Sequence, residues 1–107
     1  MTSDSFSWLQ EWYRRQADGD WEHQYGIKIE TIDNPGWSVG IDLSETDLAL
    51  VPFSGVEIER TESDWVHCRV EGEKFNIACG PGNLNEALNI FRRWVETVEV
   101  NSEQPTP

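Results

Sequence analysis

The chain has 107 residues, 37% of them hydrophobic and six of them tryptophan, enough for one core and one domain. Twenty acidic residues against eight basic ones give a formal charge of -12, which disfavours nucleic acid and anionic membranes and favours a basic protein partner. The longest apolar run, Leu48 to Phe53, is far too short to span a bilayer, and Cys68 and Cys79 lack the pattern of a disulfide framework. A reduced cytoplasmic setting fits these features.

Phe6, Leu9, Trp12 and Tyr13 recur at helical spacing and predict a helix from about Ser5 to Ala17, capped by Ser3, Asp4 or Ser5. Asp18-Gly19-Asp20 ends it. Trp21 to Gly26 then reads as a lead-in to a strand at Ile27-Lys28-Ile29-Glu30, where apolar and charged residues alternate. Asp33-Asn34-Pro35-Gly36 has the chemistry of a type II turn, with Gly36 supplying the positive φ. The second strand follows, with Trp37, Val39, Ile41 and Leu43 on one face.

Ser44 to Leu48 reads as a connection. Val51 to Phe53 and Val56 to Glu59 predict a third strand, with a bulge at Ser54-Gly55. Trp65 to Val70 and Phe75 to Cys79 predict the fourth and fifth strands, joined by a turn at Glu71-Gly72-Glu73. After Gly80-Pro81-Gly82, Asn83 or Asn85 caps a helix whose apolar stripe is Leu84, Ala87, Leu88, Phe91, Trp94, Val95 and Val98. The polar, proline-containing segment 101–107 reads as a disordered tail. The expected fold is α+β: an N-terminal helix, an antiparallel meander of about five strands and a C-terminal helix packed on the sheet, in one domain over 1–100.

Period two then places Lys28, Glu30, Asp42, Glu57, Glu59, His67, Arg69 and Asn76 on the outward face, where Glu30, Asp42, Glu57 and Glu59 form an acidic candidate docking surface. Trp65 joins them if its strand phase exposes it, since exposed large aromatics anchor interfaces.

Few features suggest chemistry. Glu22-His23 pairs a carboxylate with an imidazole, but in an extended segment the two point apart, and a structural or binding role is preferred. His23, His67, Cys68 and Cys79 have no metal-ligand spacing, so no metal is expected. Cys79 lies at a strand-to-helix junction suited to a thiol nucleophile, yet Asn85 stands where a Cys-x5-Arg phosphate loop needs arginine. No catalytic residue and no cofactor is assigned. The alternatives are a small hydrolase or thiol-dependent enzyme using Glu22, His23 or Cys79, and an acidic regulatory subunit for an endogenous partner.

Trp8-Leu9-x-x-Trp12-Tyr13, Asp20-Trp21-Glu22-His23-x-Tyr25-Gly26 and Ile29-Glu30-Thr31-Ile32-Asp33-Asn34-Pro35-Gly36-Trp37 together resemble the immunity protein 53 family of bacterial polymorphic toxin systems. The resemblance is close over about the first 43 residues. It implies a protein that binds the C-terminal domain of a toxin encoded beside it and protects the producing cell, in competition between bacteria. It carries over no functional residues. Glu22, His23 and Asp33 are added to the candidate partner-binding residues, with Asn34 a further candidate, as polar side chains within the matching blocks whose alternative role is to hold the turn and helix packing in place. The charge of -12 makes a basic, nuclease-type toxin the expected partner. The oligomeric state is left open.

Overall fold

The computed structural model describes residues 4–103. Its elements are α1 (Ser5–Gln16), α2 (Trp21–Gln24), β1 (Ile27–Ile32), β2 (Gly36–Asp42), β3 (Val56–Thr61), β4 (Asp64–Glu71), β5 (Lys74–Cys79) and α3 (Leu84–Glu103). The expected α+β plan is present: a five-stranded antiparallel sheet with α3 against it. Of the expected caps, Asp4 is the one used, its carboxylate accepting from Ser7 N at 2.7 Å, while Ser3 lies outside the described residues. Asn83 immediately precedes α3. That helix runs three residues into the segment read as a tail, and 104–107 lie outside the described residues.

The strand order is β1-β2-β5-β4-β3, so the sheet is not a sequential meander. A hairpin, β1-β2, and a three-strand meander, β3-β4-β5, meet where β2 pairs with β5. The 43–55 connection carries the chain from the middle of the sheet to the far edge. Its side chains explain why it is apolar without being a strand. Leu43 and Leu48 are buried, and Phe53 packs edge-on against Phe75 at 4.9 Å and Trp94 at 5.1 Å. The third strand therefore starts only at Val56, and its irregularity falls between Glu59 and Thr61 rather than at Ser54-Gly55. Trp21 to Gln24 is likewise a short helix, not an extended lead-in. It buries Trp21 edge-on to Trp12, and the indole N–H donates to Ser44 O at 2.9 Å.

Period two organises the core. Val39, Ile41, Val66, Cys68, Phe75, Ile77 and Cys79 are buried on the helix side, facing Ala87, Leu88, Phe91 and Val95 of α3. Phe91 is the hub, with ring centroids 5.2 Å from Trp12, 5.8 Å from Trp8 and 4.9 Å from Phe75, so one side chain joins both long helices to the sheet.

Two glycines are required for different reasons. Gly72, at φ +60°, and Glu73, at φ +59°, form the two-residue turn between the paired Glu71 and Lys74, the arrangement of a type I′ hairpin. Gly36 was expected to supply a positive φ but does not. It belongs to β2, where a Cβ would collide with the backbone carbonyl of Cys79. Because rigid backbone fills that space, Gly36→Ala should cost about 1–3 kcal/mol, read as a lower midpoint in denaturant unfolding with an unchanged slope.

Several carboxylates hold loops and helix ends. Asp4 is held below its ordinary 3.8 by the Ser7 N–H, and Asp18 likewise by the N–H groups of Trp21 and Asp20. Asp64 is lowered by Asn83 and Arg60, and Glu86, below its ordinary 4.5, by Arg60 and Asn83. Lowered folded values mean stability that is complete above the ordinary values and lost as pH falls through the folded ones. The thermal unfolding midpoint should therefore drop between about pH 5 and about pH 3. An unchanged midpoint would remove these carboxylates from the account of stability.

Candidate partner-binding surface

The helices cover one face of the sheet. On the other, alternation exposes Lys28 and Glu30 of β1, Ser38 and Asp42 of β2, Lys74, Asn76 and Ala78 of β5, Trp65, His67, Arg69 and Glu71 of β4, and Glu57 and Glu59 of β3. The four acids expected to share this face do share it, and Trp65 is there, half-buried beside them.

Charge on the face is not uniform. Lys28 lies 3.7 Å from Glu30, Lys74 3.6 Å from Asp42, and Arg69 3.9 Å from Glu71. Asp42 also accepts from Gly26 N through Oδ2 at 3.0 Å, so part of its capacity is structural. Glu57 and Glu59 differ. Their ion-pair partner among the described residues is His67, whose Nε2 is 3.9 Å from Glu57 Oε1 and 3.1 Å from Glu59 Oε1. Both carboxylates remain well exposed, at 77% and 68%. The carboxylates of this face without a Lys or Arg partner among the described residues therefore lie at the β3–β4 side.

Trp65 completes this corner. Its ring centroid is 5.1 Å from that of His67, and shallow depressions flank the imidazole, one bordered by Glu57, Arg69 and Asn76, the other by Glu59, Thr61 and Trp65. Both are open to solvent, a shape suited to a macromolecular contact rather than an enclosed small molecule. His67 had been placed on the outward face but not among the docking residues. The signal lay in the pairing register, since Glu57 stands opposite His67 and Glu59 opposite Trp65.

Glu22, His23 and Asp33 are not part of this corner. Glu22 and His23 sit on α2 in the helical layer, where the Glu22 carboxylate accepts from Gly19 N at 2.9 Å and Asp18 N at 3.0 Å. Its own backbone N–H, with those of Gly19 and Asp18, holds it below the ordinary carboxylate value, which suits a loop clamp better than a proton carrier. Asp33 is exposed in the β1–β2 turn.

The thiols are buried on the inward face. Burial pushes Cys68 up to about 12 and Cys79 above its ordinary value, the opposite of an activated nucleophile. His67 points away from that face and His23 lies on α2, so the four residues considered as zinc ligands do not converge. Glu57, Glu59 and His67 do present ligand atoms within 4.8 Å of one another, but all three are solvent-accessible and already form an ion-pair cluster.

A second polar cluster was not legible in the sequence. Arg60 donates to Asp64 Oδ1 at 2.8 Å and to both Glu86 oxygens, and Asn83 Nδ2 donates to Asp64 at 2.8 Å and Glu86 at 3.1 Å. It pins the β3–β4 hairpin to the start of α3 and so fixes the corner that carries Trp65. Among the described residues no helix is long and apolar enough to cross a membrane.

One helix-covered face and one polar, open face with shallow relief make up a small α+β domain. The family model of Immunity protein 53 matches residues 6–96, and the chain belongs to that family. No curated protein and no solved structure matches it.

Proposed function

We propose that this protein binds a cognate toxin domain and neutralises it by occupancy, without turnover, using the open face of the sheet. Membership of an immunity-protein family supports the role, and the observation that carries the choice of surface is the pair Glu57 and Glu59, which have no Lys or Arg ion-pair partner among the described residues, beside Trp65. Acidic groups on an open rim accelerate encounter with a basic partner, and a half-buried aromatic then supplies desolvated contact area. The partner is a basic toxin C-terminal domain of nuclease type, met in the cytoplasm. Glu30 and Asp42 share the face but are paired with Lys28 and Lys74, so they contribute less to the attraction, while Glu22, His23 and Asp33 lie outside the principal contact.

The test is bacterial growth with the adjacent toxin domain expressed alone and together with this protein, followed by co-purification. Rescue with a stable complex is expected. Toxicity unchanged, with no complex formed, would overturn the immunity pairing and favour an endogenous partner.

A further inference from the structure

Strand β1 is an edge of the sheet, at the end opposite β3. The alternation of its backbone groups follows from its pairing with β2. Asp42 N donates to Gly26 O at 3.0 Å, and Gly26 N is also turned toward β2, onto Asp42 Oδ2. Even-numbered residues therefore use their backbone groups on β2, and Ile27, Ile29 and Thr31 turn theirs outward.

Edge strands are ordinarily blunted by bulges, prolines or repelling charges. The far edge has such features, a register shift between Glu59 and Thr61 and the acidic pair Glu57 and Glu59. β1 has none of them: six consecutive residues pair regularly, without proline, and its two charges are of opposite sign. The helical layer also stops short of it. Ile29 is 38% exposed although it sits on the helix side, and Phe6 and Tyr13, 49% and 39% exposed, line an open apolar groove with Ile27.

We propose that β1 pairs with β1 of a second copy, antiparallel about a two-fold axis through Ile29, making one continuous sheet across the dimer. The charges select this register. With Ile29 opposite Ile29, Ile27 and Thr31 exchange backbone hydrogen bonds, and Lys28 of each copy stands opposite Glu30 of the other in a close, non-hydrogen-bonded pair. Sliding by two residues sets Glu30 against Glu30 or Lys28 against Lys28, and sliding by one presents backbone groups already committed to β2. The contact region is also not acidic: β1 is neutral, and α1 sets Arg14 and Arg15 against Glu11. The Glu57–Trp65 corner, at the other end of the strand order, stays free in each copy.

Sedimentation of the full chain, in low and high salt, tests this. The wild type is expected to dimerise, and more strongly in high salt, because screening relieves repulsion between two chains of charge -12. Lys28→Glu and Glu30→Lys, each at an exposed side chain, should weaken the dimer roughly tenfold by opposing like charges twice, and the double exchange should restore it. Circular dichroism checks that each variant is folded. A wild type monomeric under both conditions would overturn the proposal. So would single variants that dimerise undiminished, or a double variant that stays weak.

Discussion

Phe91→Ala should cost about 3–5 kcal/mol, the largest stability loss expected from any single truncation in this protein. The side chain is fully buried and is the one ring in contact with Trp8 and Trp12 of α1, Phe75 of β5 and Trp94 of its own helix. Removing it opens a cavity among large rings that cannot all rotate to fill it, and it separates α1 from the sheet as well as loosening α3. For a domain of marginal stability such a loss leaves little of the native population. Denaturant unfolding followed by tryptophan fluorescence gives the measurement. A loss below about 1 kcal/mol would mean that the helical layer is held by something other than this hub.

The second large effect concerns binding. Trp65→Ala should weaken the toxin complex by about 2 kcal/mol, roughly 30-fold in Kd, if the indole is the central anchor. Glu57→Lys with Glu59→Lys should instead act mainly on association, slowing it about tenfold at low ionic strength and flattening its salt dependence. The two signatures separate because one group contributes contact area and the other long-range attraction. All three side chains are at least partly exposed, so the unfolding midpoint should move little. Binding unaffected by either change would relocate the contact away from the β3–β4 corner.

Much of this was visible in the sequence, for reasons that can be stated residue by residue. The stripe Leu84, Ala87, Leu88, Phe91, Trp94, Val95 and the alternation in Trp65 to Val70 and Phe75 to Cys79 mark α3, β4 and β5, because burial on one face imposes the period directly. The same alternation put Glu30, Asp42, Glu57 and Glu59 on one face. Strand order was not visible. The pairing of β2 with β5 depends on contacts between segments far apart in the chain, and Phe53, apolar because it packs on Phe75 and Trp94, looks like a strand residue until its neighbours are known. Gly36 was read from turn chemistry, whereas the constraint comes from the Cys79 carbonyl on a strand distant in sequence. Neutralisation of Glu30 by Lys28 and of Asp42 by Lys74 also needs side-chain positions, and it is what narrows four equivalent acids to the pair on β3.

The location of the toxin contact is most directly tested by backbone and indole amide spectra of the isotopically labelled protein, recorded as unlabelled toxin domain is added. The account predicts that the largest perturbations fall on the Trp65 indole and on Glu57, Glu59 and His67, with α2 and the 33–35 turn little changed. Perturbations concentrated at Glu22, His23 and Asp33, with the β3–β4 corner unmoved, would contradict it.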